Sequence, residues 1–350
     1  MILSENHKLN WYGHFNTITG YGVVNLEYPQ AITRQGWDVT CGWERYDEGF
    51  VEWQYLTPEE KAFIKKPFVK APIGIIKSLP TEFVFNQSDF RIGYTMVENT
   101  IMNKHWVDCC NQMNMIFVPS EFLVRIFKDS GVTVPVKSVR QGIATNKFPF
   151  FDRSEQQREK FVFGTVGFMD DRKNWKDLIT AFISEFDPIE PVELWIKNTN
   201  NQWGYVSNDD ERIKIIKTRY GTDEMNKLYQ LMDCFVFPSH AEGSGLPPRE
   251  AMATGLPVIL TNWSGLTEIA NPEWSYLLTP IAIDHPDYRK EEQPGFQARI
   301  EVRELMYWMR YVYEKKTEGL EKGKLASDFI HLEYSWDKCT ILLLDHLKDL

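Results

Sequence analysis

Short apolar runs alternate with stretches of helical period along the first half of the chain. Leu9 to Gly13 predicts an opening strand. A glycine-bearing loop through Gly20-Tyr21-Gly22 follows, then apolar residues at helical spacing from Val23 to Arg34, then a strand over Trp37 to Cys41. Strand, glycine loop, helix and strand is the opening of a parallel βαβ unit. Further strands are expected at Ile73–Ile76, which the segment Arg91 to Thr100 follows, at Met115–Phe122 with its Pro-Ser ending, and at Val136–Val139. The alternation then restarts. Phe161–Gly167 predicts a strand, Leu178–Phe186 a helix and Val192–Lys197 a strand, and Cys234–Pro238 and Pro257–Leu260 predict short buried strands. A polar run from Asp152 to Lys160 suits a boundary between two bodies. The pattern therefore predicts an α/β protein with two doubly wound domains, 1–155 and 156–335. An amphipathic helix over 336–350 carries Ile341, Leu342, Leu344 and Leu347.

Between the last two strands lies Ser239-His240-Ala241-Glu242-Gly243-Ser244-Gly245-Leu246-Pro247-Pro248-Arg249-Glu250. Pro248 suits a first helical position and Gly255 the residue just past a helix end. Ligands of open α/β sheets bind at the carboxyl ends of strands, where helix N-termini present N–H groups to anions. Glu242 is expected in the loop and Glu250 in the first helical turn. One carboxylate can face a sugar while the other accepts hydrogen bonds from ribose hydroxyls.

Taken whole, Glu-Gly-x-Gly-Leu-Pro-x-x-Glu-Ala-Met-Ala-x-Gly-x-Pro-Val resembles the donor-site signature of glycosyltransferase family 4. The resemblance implies the GT-B fold, with two Rossmann-like domains facing a central cleft and a C-terminal helix crossing back to the N-terminal domain. It implies retaining transfer of a sugar from a nucleotide-sugar donor to a hydroxyl acceptor: a glycan, a lipid-linked glycan or a small molecule. Arg172-Lys173 is similar to the family's Arg-Lys-Gly, whose lysine contacts donor phosphates. By this resemblance Lys173 and Glu242 are catalytic. Gly20, Tyr21, Gly22, Arg172, Gly243, Ser244, Gly245, Leu246 and Glu250 join them in binding the donor. The sequence departs from the family at three places. Asn174 stands where a glycine is usual, Phe168 where many relatives have arginine, and Val97-Glu98 where many have a histidine. Glu98, with Lys65 and Lys66, is the acceptor-side candidate.

The 350 residues include 43% hydrophobic and 14% aromatic side chains, enough for two cores. No apolar run reaches membrane-spanning length, and Met1-Ile2-Leu3-Ser4-Glu5-Asn6 does not read as a signal peptide. Five cysteines without CxxC spacing suit a reducing compartment, so a cytoplasmic location is expected, with peripheral membrane contact left open. The net charge of −10 is uneven. Residues 1–155 hold 16 basic against 17 acidic side chains, and residues 156–350 hold 23 against 32. The acidic second half argues against general nucleic-acid binding. Lys61, Lys65, Lys66, Lys70 and Lys77, interleaved with Phe63, Phe68 and Ile75, make either a solvated face or a surface for DNA phosphates or anionic lipid headgroups. A bacteriophage-type enzyme that glycosylates a hydroxylated DNA base is thus one alternative. An inactive nucleotide-sugar-binding protein is another. The chain has no Asp-x-Asp and no His/Cys cluster of zinc spacing, so no metal or cofactor is expected, the nucleotide sugar being a co-substrate. Glu242 and Glu250 do not read as a hydrolase pair, which needs carboxyls on both sides of the scissile bond.

Overall fold

The computed structural model describes residues 7–15, 19–42, 56–156, 158–168, 170–198, 210–285 and 295–348. The chain divides into two compact units, one of residues 1–142 with 333–350 and the other of residues 143–332.

In the first unit the elements run β1 (Lys8–Gly13), α1 (Gly20–Arg34), β2 (Asp38–Gly42), α2 (Pro58–Ile64), β3 (Ile73–Lys77), β4 (Phe90–Tyr94), α3 (Lys104–Cys110), β5 (Met115–Val118), α4 (Glu121–Asp129) and β6 (Val136–Ser138). The six strands form one parallel sheet in the order β2-β1-β3-β4-β5-β6. Parallel strands covered on both faces carry apolar residues throughout. β3 and β5 are accordingly buried at every position, and each Ile or Val so buried contributes about 1.5–3 kcal/mol. Ser120 caps α4 by accepting from the Leu123 N–H, and the helix buries Leu123, Val124, Ile126 and Phe127. The glycine stretch expected as a loop is instead helical. Thr19 serves as N-cap, its hydroxyl accepting from Gly22 N–H at 3.3 Å, so Gly20, Tyr21 and Gly22 form the first turn of α1.

The second unit contains β7 (Phe161–Val166), α5 (Trp175–Glu185), β8 (Val192–Lys197), β9 (Ile213–Ile216), α6 (Thr222–Gln230), β10 (Cys234–Phe237), α7 (Leu246–Ala253), β11 (Val258–Thr261), β12 (Tyr276–Leu278), β13 (Ala282–Asp284), β14 (Gln297–Arg299), α8 (Val302–Glu314) and α9 (Lys316–Glu333). β7 to β12 form a second parallel sheet, ordered β12-β11-β10-β7-β8-β9, while β13 and β14 pair antiparallel. Leu178, Phe182 and Phe186 of α5 and its end pack with Leu305, Met309 and Val312 of α8 against Phe163, Leu194 and Val236 of the sheet. A last helix, α10 (Trp336–Asp345), groups with the first unit and packs on α1, where Tyr28 meets Trp336 edge to face at 5.0 Å.

The polar run 152–160 lies inside the second unit, and Arg153 supplies the physical reason. Its guanidinium is buried and donates to the carbonyls of Tyr229, Met232 and Thr254, the last at 2.6 Å. Those carbonyls end α6 and α7, where the helices have no N–H of their own to offer. No described helix is long and apolar enough to cross a membrane.

Candidate functional site

In the second sheet the connections leave β7 and β10 in opposite directions, so these neighbours define the point where strand order reverses. Open α/β sheets bind ligands outside the carboxyl ends of strands at such a point. Arg172 and Lys173 follow β7, and Glu242 follows β10.

The three side chains meet. Glu242 Oε1 accepts from Lys173 Nζ at 2.6 Å, Arg172 Nη1 at 2.7 Å and Ser239 Oγ at 2.6 Å. The carboxylate side chain is 7% exposed and the two cations 14% and 13%. Burial works against the charge on Glu242, but Arg172, Lys173 and Ser239 outweigh it and hold the carboxyl below its usual range. Burial also takes the Lys173 ammonium below its ordinary value, with Glu242 opposing. Lys173 Nζ lies 4.6 Å from the centroid of the Phe237 ring, at the end of β10. Arg172 Nη1 also donates to the Ala241 carbonyl, and the His240 N–H donates to the Arg172 carbonyl, so the two loops are laced together.

A third loop, after β11, clamps the Glu242 backbone. Ser264 Oγ accepts from Glu242 N–H at 2.8 Å, and Gly265 N–H donates to the Glu242 carbonyl. Ser264 holds φ at +56° to do so, a left-handed conformation that costs a non-glycine residue on the order of 1 kcal/mol or more. Asn174 also sits at φ +56°, between the turn of residues 171–173 and α5. Asparagine suits this bend, since among non-glycine residues it tolerates the left-handed region best.

α7 begins at Leu246, not at Pro248, because Gly245 takes φ +82° and turns the chain into the helix two residues early. A Cβ at Gly245 would lie 2.7 Å from Leu266. Two corrections follow. Glu250 is the fifth helical residue, past the first turn. Pro247 and Pro248 have no N–H, so the amides that can face an anion here are those from Gly243 to Leu246. The helix ends as the glycine signal predicts: Gly255, at φ +76°, donates to the Met252 carbonyl, and Leu256 donates to that of Ala251.

Glu250 accepts from the Tyr229 hydroxyl of α6 at 2.8 Å. Burial pushes its carboxyl up to about 7, with the Tyr229 hydrogen bond pulling the other way. Sequence reasoning missed Tyr229, Ser239 and Ser264, which bear no motif of their own. It also missed Arg249, which is fully buried and donates to Ser244 Oγ. An arginine beside Glu250 in the Leu-Pro-Pro-x-x-Ala-Met-Ala run was the available signal. Phe168, where an arginine was the family expectation, is 43% exposed.

The first unit holds the remaining candidates. Gly20, Tyr21, Gly22 and Glu98 all lie at the carboxyl edge of its sheet, beyond β1 and β4. Lys65 and Lys66 do not join them. Both are exposed at the end of α2, and Lys66 Nζ binds Asp38 Oδ1 at 2.5 Å, at the amino end of β2. Lys70 pairs with Asp89, ahead of β4. Lys77 is fully buried at the carboxyl end of β3. The five lysines therefore do not share one face. Among the described residues no group of three or more His, Cys, Asp or Glu side chains is placed to hold a metal ion.

Residues 160–285 match the family described as "Glycosyl transferases group 1". The chain is 30% identical over 179 residues to the lipopolysaccharide core biosynthesis mannosyltransferase LpsB of Rhizobium meliloti, a match that covers 43% of this chain and 50% of that protein. The chain thus spans about half the length of this curated relative. Its fold superposes on sucrose-phosphate synthase from Thermosynechococcus elongatus with a TM-score of 0.74 at 12% identity, covering 98% of each chain. It superposes on Anabaena HepE in complex with UDP-glucose with a TM-score of 0.72 at 14% identity, covering 98% of this chain and 100% of that one. The two parallel-sheet units have the fold of the GT-B glycosyltransferases.

Proposed function

We propose that the chain is a retaining glycosyltransferase that moves a sugar from a nucleotide-sugar donor to a hydroxyl of a glycan. The observation that carries this reading is the Lys173–Glu242–Arg172 cluster at the reversal point of the second sheet. In the transfer, the bond from the sugar's anomeric carbon to the diphosphate breaks, and the acceptor oxygen bonds that carbon on the same face. The acceptor's proton leaves, and the nucleoside diphosphate departs with the electron pair. Charge therefore grows on the diphosphate oxygens. Fixed donors aimed at growing charge are the strongest means a protein has of lowering such a barrier. Lys173 has three N–H donors, of which Glu242 takes one. The amides from Gly243 to Leu246, at the positive end of α7, add to it. These groups do the work that a divalent cation does in other transferases, so the reaction needs no added metal. Glu250 accepts the ribose hydroxyls, and Glu242 orients the sugar.

The relative LpsB acts in lipopolysaccharide core synthesis, which favours a glycan acceptor over a DNA base. A cytoplasmic location with peripheral membrane contact fits such an acceptor.

The test is calorimetric and kinetic. UDP-, GDP-, ADP- and CMP-sugars are titrated into the protein, and the product's anomeric configuration is read by NMR. One donor class should bind, its sugar should transfer with retention, and EDTA should leave the rate nearly intact. Lys173→Ala should lower kcat by on the order of a hundredfold. Absence of binding by all four donor classes, or an inverted product, rejects the reading.

A further inference from the structure

His240 grips one residue of β14 twice. The Ala298 N–H donates to the His240 carbonyl at 2.9 Å, and His240 Nδ1 bonds the Ala298 carbonyl at 2.7 Å. A carbonyl only accepts, so Nδ1 carries the proton. Burial takes the imidazole below its ordinary pKa, against the Ala298 carbonyl and the charges of Asp177, Asp171 and Asp170. The ring is therefore the neutral Nδ1–H tautomer at neutral pH. β14 belongs to a two-stranded hairpin, and such a ribbon is marginal by itself. The hairpin starts after β12, which runs parallel to β11 and β10, so it rises from the same sheet edge as the Glu242 loop. β14 also lies beyond residues 160–285, which match the family.

The main-chain N–H of His240 turns to the charged cluster. It donates to the Arg172 carbonyl at 2.8 Å, which also accepts from Ser239 Oγ at 3.2 Å. Arg172 and Ser239 both donate to Glu242 Oε1. One residue thus joins the hairpin to the turn that carries Arg172 and Lys173 and to the loop that carries Glu242. The two main-chain bonds are open to any residue at this position except proline. The bond from the side chain needs an N–H at the δ position, which histidine and asparagine have.

We propose that His240 is a positioning residue for glycosyl transfer: its Nδ1–H fastens the β13–β14 hairpin to the loop after β10, and this brace fixes the Arg172–Lys173 turn and Glu242 in place. The proposal rests on the transferase reading for what the cluster acts on, the departing diphosphate. Donors aimed at growing charge act only if their geometry is set beforehand, and a displacement of about 1 Å can cost on the order of a hundredfold in rate.

Full-length wild type, His240→Asn, His240→Gln and His240→Ala are compared. Asparagine returns an N–H near the place of Nδ1, whereas glutamine carries its amide farther out. Turnover of UDP-, GDP-, ADP- and CMP-sugars is measured with water as acceptor, beside hydrogen exchange of peptides from 170–174, 239–243 and 297–299. His240→Gln and His240→Ala should lose on the order of tenfold in kcat, with donor KM within about twofold of wild type, and these peptides should exchange faster. His240→Asn should rescue both. A residue that only stabilised the fold would lower the melting temperature in its variants and leave kcat of the folded protein unchanged. The proposal is overturned if His240→Gln turns over as wild type does, if His240→Asn loses as much as His240→Gln, or if faster exchange stops at 297–299. Failure of the transferase reading looks different. There wild type turns over none of the nucleotide sugars, while exchange at 170–174 still decides whether Nδ1–H braces the turn.

Discussion

Glu242→Ala should destabilise the second unit far more than Lys173→Met, although both break the same 2.6 Å ion pair. Glu242 is the carboxylate that both nearly buried cations contact within 2.7 Å, whereas Asp170 Oδ2 is 3.9 Å from Arg172. Removing Glu242 leaves Lys173 and Arg172 facing each other across a desolvated gap. Stranding a buried charge in this way costs about 3–5 kcal/mol. Two like charges about 4 Å apart at an effective dielectric of about 20 repel by about 4 kcal/mol, which agrees. Lys173→Met removes one cation together with its desolvation cost and leaves Arg172 and Ser239 on the carboxylate, so its cost should stay under about 1.5 kcal/mol. Urea unfolding measures the difference, with hydrogen exchange of peptides from β7 to β12 assigning the transition to the second unit. With a slope of about 2 kcal/mol per molar urea, the Glu242→Ala midpoint should fall by roughly 2 M. A fall of less than about 0.5 M, or an equal fall for Lys173→Met, refutes the view that Glu242 neutralises the cluster.

Glu250 should make stability depend on pH. Its folded carboxyl titrates near 7 against an ordinary 4.5, so between those values the folded chain holds a proton that the unfolded chain has released. This contribution is complete below the lower value and is lost as pH rises through the upper one. Melting temperatures across that window should fall with pH in wild type and flatten in Glu250→Gln. Gly255→Ala should cost more than about 1 kcal/mol in a melting assay, because φ is +76° and a Cβ would lie 2.6 Å from the Phe150 ring. Lys65→Glu/Lys66→Glu should leave the acceptor KM unchanged at about 50 and 200 mM salt, since both lysines lie away from the carboxyl edge of the first sheet. A changed KM in steady-state kinetics would return the α2 lysines to the acceptor site.

Most strands of the two parallel sheets were legible, β4, β9 and β12 excepted, because a parallel sheet buried on both faces writes itself as short apolar runs. Ile73–Ile76 and Cys234–Phe237 are such runs. The strand, loop and helix around Glu242 were legible as a motif, down to the Gly255 stop. Geometry between elements was not. No local signal says that Gly245 starts α7 early, or that Thr19 draws Gly20 to Gly22 into a helix. Lys77 follows four strand residues and reads like the other lysines near it, since burial at a strand's end depends on neighbours far along the chain. Arg153 misled for the same reason. It sits among polar residues, yet three of the carbonyls it donates to lie 76 to 101 residues away.

The first unit is assembled from two separated stretches, and this sets an order of events on the ribosome. Residues 143–332 must be synthesised before α10 exists. At ~5–20 residues per second that is a wait of roughly 10–40 s. Throughout it the nascent sheet of the first unit lacks the helix that covers α1, and Tyr28 and Gly142 lack Trp336, which later packs against both. The second unit, continuous in sequence, can fold during that interval. The N-terminal body, although made first, is therefore the last to be completed, and the surface around Tyr28 is the one a chaperone would meet.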